Sequence, residues 1–205
     1  MPRHPNNLVD GYISHINYLE TTRLKMERLL RLRTIVRRDI EQVYEGLYLD
    51  SITTFEALLE DLFIGYLVGR IRKSSNRIHF RTTFKSDIIA RDIIFGGKNY
   101  VDWLPYENTI KRSQLFYRNG LPFTLIDEND KKQLNEIVII RNAIAHSSLH
   151  SRKKFNKQVI GNLALMPREK HPAGFLRSVY RITPMQTRYQ YYVTVLSSIA
   201  MKLIS

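Results

Sequence analysis

No proline interrupts the chain between Pro5 and Pro105. Within that window Ile40, Val43, Tyr44, Leu47, Phe55, Leu58, Leu59, Leu62, Phe63, Tyr66 and Leu67 recur at steps of three and four. Helix interiors exclude proline, and such steps gather apolar side chains on one side of a helix. The pattern predicts a helix over 37–72, about 50 Å long, with a kink expected in the less regular stretch 50–54. A core helix of that length suits a bundle, so the fold class expected is all-α, with long core helices.

The remaining periodicities agree. Leu8, Tyr12, Ile16 and Leu19, then Met26, Leu29 and Leu30, predict an N-terminal helix over 8–33. Residues 73–84 form a polar, basic connection. A short helix is expected over 86–95, stopped by Gly96 and Gly97, and another over 106–118, stopped by Asn119 and Gly120. Asp127 opens a further helix whose first-turn acids suit the helix dipole, and it runs to 146 or 148. Residues 149–174 are basic and contain Pro167, Pro172 and Gly174, so they are expected to be irregular insertions. The last helix is expected to start at Thr183, with Thr183 as N-cap, Pro184 in the first turn and Gln186 closing a capping box. No linker or internal repeat divides the chain. One domain over 1–205 is expected, with the helix at 8–33 set before a core at 37–205.

Charge narrows the function. Lysines and arginines total 32 against 19 acids, a net charge of +13, and arginine outnumbers lysine 20 to 12. Such a field attracts polyanions, and arginine binds phosphate bidentately. An acidic protein partner is the other expectation. The chain has no cysteine, which excludes disulfides, zinc–thiolate sites and thiol nucleophiles. The N-terminus lacks a signal-peptide core and no stretch is apolar and long enough to span a bilayer. A cytoplasmic protein with no membrane association is expected.

The informative stretch is Arg141-Asn142-Ala143-Ile144-Ala145-His146, near a helix end. Histidine titrates near neutral pH and can move protons. Arginine can stabilise charge building on a phosphate. Asparagine can hold the imidazole or a phosphate oxygen. Together they suit metal-independent RNA cleavage, in which the ribose 2′-hydroxyl attacks the adjacent phosphate. No metal and no cofactor is expected; His150 lies four residues beyond His146, but no carboxylate or cysteine stands nearby to complete a metal site. Ile137, Ile140 and Ile144 form one apolar stripe on this helix, while Ile139 and Ala143 lie on another. That second side predicts another surface, supplied by a second copy of the chain.

The R-N-x-x-x-H pattern of residues 141–146 resembles the signature of the HEPN superfamily. The long helix bearing Leu47, Phe55, Glu56, Leu58 and Leu59 before it is similar to that family's layout. So is the T-P-x-x-T-x-Y helix start at 183–189 after it, as in RiboL-PSP-HEPN and related abortive-infection proteins. The resemblance implies a HEPN-type helical bundle that dimerises, with Arg141 and His146 of two copies meeting at the seam and Asn142 in support. It implies an endoribonuclease leaving 2′,3′-cyclic phosphate and 5′-hydroxyl ends. It also implies a toxin or anti-phage effector controlled by an antitoxin or other regulatory partner. A supporting acid on the long helix would be Glu56, Glu60 or Asp61. The alternatives are a non-catalytic helical module that holds RNA or an acidic protein, and a HEPN-like transferase-associated or nucleotide-binding domain without nuclease activity.

Three further features remain open between binding and structure. The basic tract 151–157, with Phe155, reads as an RNA contact or a solvated loop. The arginine-rich run 23–38 reads as a helix face for RNA or an acidic partner, or as a solvated one. Tyr189, Tyr191 and Tyr192 read as core, dimer packing or base stacking. Gly96-Gly97-Lys98 lacks the other P-loop positions, so nucleotide hydrolysis is not expected.

Overall fold

A computed structural model describes residues 2–146 and 148–205. The chain is mostly helical: α1 (Pro5–Arg31), α2 (Arg37–Leu67), α3 (Asp87–Phe95), α4 (Tyr106–Phe116), α5 (Glu128–Ala145), α6 (Leu149–Phe155), α7 (Pro172–Arg177) and α8 (Arg188–Lys202). Regular strands among the described residues are confined to one antiparallel hairpin, β1 (Val179–Arg181) with β2 (Gln186–Thr187). Among the described residues no helix is long and apolar enough to cross a membrane.

Helix ends follow local chemistry. Pro5 sits at the first position of α1, where its missing N–H costs nothing. At the other end Thr34 N–H donates to Leu29 O and Arg33 N–H to Leu30 O, both at 3.0 Å, with Arg33 at φ 58°. This is the Schellman closure, here with arginine where glycine is usual. Ser86 caps α3, accepting from Ile89 N–H, and Gly96 at φ 59° ends it. Asp127 and Asp130 cap α5 reciprocally, each side chain accepting from the other's backbone N–H at 2.9 and 3.0 Å. Lys202 binds both carboxylates.

The long helix α2 runs unbroken through 50–54, where the sequence suggested a kink. Ser51 and Thr53 donate their hydroxyls back to Tyr48 O and Leu49 O, at 2.8 and 3.0 Å, sharing those carbonyls with the helix without interrupting it. The helix ends at Leu67, before Gly69 at φ 70°.

Two compact units make up the chain, and α1, α2, α5 and α8 contribute residues to both. The first holds residues 1–13, 54–134 and 197–205. Its core is an aromatic cluster around the fully buried Phe63, whose ring lies 5.0–5.1 Å from those of Tyr117, Phe123 and Trp103. The second holds residues 14–53 and 135–196. Its core joins Tyr44 to Tyr189, Tyr48 to Tyr192, and Phe155 through Phe175 to Tyr192.

The stretch 149–174 is not irregular. It forms α6, a π turn (Asn156–Ile160), a 3-10 turn (Pro167–Glu169) and α7. Ser148 caps α6, and the buried Phe155, Val159 and Ile160 anchor the first half. Pro167 and Pro172 each stand at the start of a helical turn, where proline initiates rather than breaks.

The expected helix start at Thr183 is also corrected. Residues 182–185 form the hairpin turn, and α8 begins at Arg188. The working box lies four residues later. Thr187 N–H donates to Gln190 Oε1 at 2.9 Å, and Gln190 N–H donates to Thr187 Oγ1 at 3.3 Å. It has the same T-x-x-Q spacing as Thr183 and Gln186, but the apolar residues after it, Tyr189, Tyr192 and Val193, are buried, which decides between the two. Thr187→Ala should therefore destabilise the chain by about 1 kcal/mol, whereas Thr183→Ala should stay within about 0.5 kcal/mol. Urea denaturation of both variants checks this, and the reverse ordering would overturn the assignment.

Candidate active site

The candidate residues sit where α5 emerges from its packing. Ile137, Val138, Ile139 and Ile140 are all buried, and Ala143 is 9% exposed. Arg141, Asn142 and Ile144 are half-buried, Ala145 is exposed, and His146 is exposed just past the last helical residue. Its backbone N–H still donates to Asn142 O at 3.0 Å, so the backbone position of His146 is held by the end of the helix while its ring faces solvent. All three motif residues belong to the second unit.

This burial corrects the reading of the helix's second apolar side. Ile139 is 2% exposed within a single chain. The helix is surrounded there by its own chain, so four consecutive apolar residues need no second copy to cover them. Ile144, expected in the core stripe, is only half-buried.

Arg141 and Asn142 are joined directly: Arg141 Nη1 donates to Asn142 Oδ1 at 3.0 Å. The amide thus orients the guanidinium and leaves its remaining N–H donors to meet an anion. The asparagine side-chain NH₂ is a further donor beside them. Steps of 100° place Asn142 and His146 about 40° apart around the helix axis, and Arg141 and His146 about 140° apart.

The three acids considered on α2 lie in the first unit. Glu60 accepts from Trp103 Nε1 at 3.0 Å and pairs with Arg91. Asp61 pairs with Arg70 at 3.4 Å, and Glu56 is half-buried. Glu60 and Asp61 therefore hold first-unit cations.

The tyrosines of α8 are resolved by burial. Tyr189 and Tyr192 are core residues, while Tyr191 stacks on Tyr180 of the hairpin at 4.0 Å. Phe155 is also core, 2% exposed and edge-on to Phe175, so it offers no ring to a base.

The arginine-rich run has a structural member that sequence reasoning passed over. Arg23 is 6% exposed and donates through Nε and Nη2 to Glu20, at 2.7 and 2.6 Å, and through Nη1 to Tyr44 Oη at 3.0 Å. Tyr44 Oη donates to Glu27, which Arg177 clasps with two further bonds of 2.9 and 3.0 Å. Gln190 donates to Glu20 at 2.8 Å. The signal was present as Glu20-Arg23-Glu27 at helical spacing. Above this network lies an open groove of about 550 Å³, whose lining includes Arg23, Arg31, Arg37, Arg168, Arg177 and Glu27. Arg23, Arg37 and Arg177 are neutralised by Glu20, Glu41 and Glu27.

Compared with known proteins, the chain matches no protein-family model, no curated protein and no solved structure.

Proposed function

We propose that the chain is a metal-independent endoribonuclease of HEPN type. The observation that carries the reading is the end of α5. It carries an exposed His146 and, about 140° away around the axis, an Arg141 guanidinium oriented by Asn142, within a strongly basic chain. In the proposed reaction a histidine takes the proton of a ribose 2′-hydroxyl, and the 2′-oxygen bonds to the adjacent phosphorus. The bond from phosphorus to the 5′-oxygen breaks, and that oxygen receives a proton from a second group. Arg141 stabilises the extra negative charge on the phosphoryl oxygens as it develops. The products are a 2′,3′-cyclic phosphate and a 5′-hydroxyl.

Two features favour a site composed from two copies. The reaction needs a proton acceptor and a proton donor at once, and the motif of one chain supplies one histidine. Arg141 and His146 also diverge around the helix axis, so partners facing each other across a two-fold axis converge on one phosphate more readily than one chain does. The role as a toxin or anti-phage effector in the cytoplasm, held by an antitoxin or regulatory partner, rests on the motif's resemblance to that family.

Incubation with total RNA in excess EDTA tests the proposal. Cleavage should persist and should leave cyclic phosphate ends. A substrate carrying 2′-deoxyribose 5′ to the cut should be inert, because the nucleophile is gone. Activity that requires magnesium, or that cuts the deoxy substrate, would overturn it. RNA that is bound but never cut would favour the non-catalytic module.

A further inference from the structure

Between Glu136 and Glu169 the chain has no acidic residue, yet it carries Arg141, Arg152, Lys153, Lys154, Lys157 and Arg168. Elsewhere several acids pair with cations: Glu20 with Arg23, Glu41 with Arg37, Glu60 with Arg91, Asp61 and Asp87 with Arg70, and Asp127 and Asp130 with Lys202. Among the described residues, none of Arg152, Lys153, Lys154 and Lys157 takes part in an ion pair. The stretch is therefore a run of positive charge with no acid of its own to offset it.

Helix geometry orders it. At 100° per residue His150, Lys153 and Lys154 fall within an arc of about 100° on α6, Lys157 follows in the π turn, and all four are exposed. Phe155 points the opposite way, into the core against Phe175. Burial of Phe155, Val159 and Ile160 thus fixes which side of the segment faces water, and that side is a ridge of ammonium groups. It begins four residues after His146.

We infer that the face of α6 and the following π turn that carries His150, Lys153, Lys154 and Lys157 is a phosphate-backbone binding ridge that holds single-stranded RNA and leads it to His146. The assignment of the ligand rests on the ribonuclease reading. Lysine is a point charge suited to phosphate and is depleted from the cores of protein–protein interfaces. Beyond the His150 imidazole the ridge is built of lysines, which contact phosphate and read no base, so binding is largely independent of sequence and governed by counterion release.

The test separates binding from cleavage by working in the His146→Ala background, where the RNA stays intact. Binding of a labelled single-stranded RNA is measured by anisotropy across a salt series. Lys153→Gln/Lys154→Gln/Lys157→Gln should lower affinity at least tenfold. It should also reduce the slope of log affinity against log salt by about 2, at about 0.7 for each phosphate that a lysine no longer neutralises. Neutralising three exposed lysines elsewhere, Lys98→Gln/Lys111→Gln/Lys132→Gln, should change the slope by less than about 0.5. Circular dichroism confirms folding. An unchanged slope in the folded ridge variant overturns the inference, and so does an equal loss in the control, which would make the effect one of net charge. Polyglutamate bound as tightly as RNA and with the same ridge dependence overturns the choice of ligand. Ridge-dependent RNA binding by a wild-type chain that cuts nothing would sink the ribonuclease reading and leave the ridge standing.

Discussion

His146→Ala is expected to reduce RNA cleavage by about 10²-fold or more, the scale of a lost general acid–base group, with no loss of helical content. The second half follows from position. His146 lies outside the last helical residue and is exposed, so its side chain contributes little to packing. Arg141→Ala should cost as much activity, since the phosphoryl charge then develops unopposed. Arg141→Lys should not restore it. An ammonium can keep the bond to Asn142 or turn to the phosphate, whereas the guanidinium fork does both from one plane. Asn142→Ala should have an intermediate effect, because it releases the guanidinium without removing it. Rates of cleavage of an end-labelled RNA, with circular dichroism on each variant, check the series. Full activity in a folded His146→Ala protein would remove the mechanism.

The periodicity of the sequence sufficed for the five helices α1 to α5, to within three residues at each end save that α2 stops at Leu67 and not at 72, because burial of one apolar stripe and a local stop signal decide such helices. Asn119 and Gly120 both adopt positive φ where the chain leaves α4, as their residue types suggest. Legibility failed where local signals are ambiguous. Thr183 and Thr187 both head a T-x-x-Q box, and only the burial of the residues that follow selects Thr187. Pro167 and Pro172 read as breakers but open helical turns. Ile139 looked like an unpaired surface because sequence shows that a residue is apolar and not what covers it. The spread of Arg141 and His146 around the axis is a consequence of helix geometry once the helix is granted; the Arg141–Asn142 hydrogen bond is not, because neighbours at i and i+1 do not face each other on a helix. The single-sign ridge was visible as composition, but Phe155 had to be placed in the core before its orientation was fixed.

The largest stability effect is expected at Arg23. Removing one partner of a buried ion pair costs about 3–5 kcal/mol, because the other charge stays desolvated and unpaired. Arg23→Ala leaves Glu20, 30% exposed, with its bond from Gln190 and takes a donor from Tyr44 Oη, whose ionisation burial disfavours, so the lower end of that range applies. A chain of this length should lose roughly 2–4 °C of melting temperature per kcal/mol, so a fall of about 10 °C is expected. Arg23→Met/Glu20→Met should be milder than Arg23→Ala, since it removes both charges and keeps the volume. The same network sets an acid limit. Burial pushes the Glu27 carboxyl up, but hydrogen bonds from Arg177 and Tyr44 outweigh it and hold the group below its ordinary value of 4.5. A carboxyl depressed on folding adds stability that is present above its unfolded value and lost as pH falls through the folded one. Wild-type stability should therefore decline below about pH 4.5, and Glu27→Gln should flatten that decline while costing stability at neutral pH. Urea titrations between pH 3 and 7 measure both. An Arg23→Ala protein within 1 kcal/mol of wild type would show that the network is solvated in solution rather than buried beneath the groove.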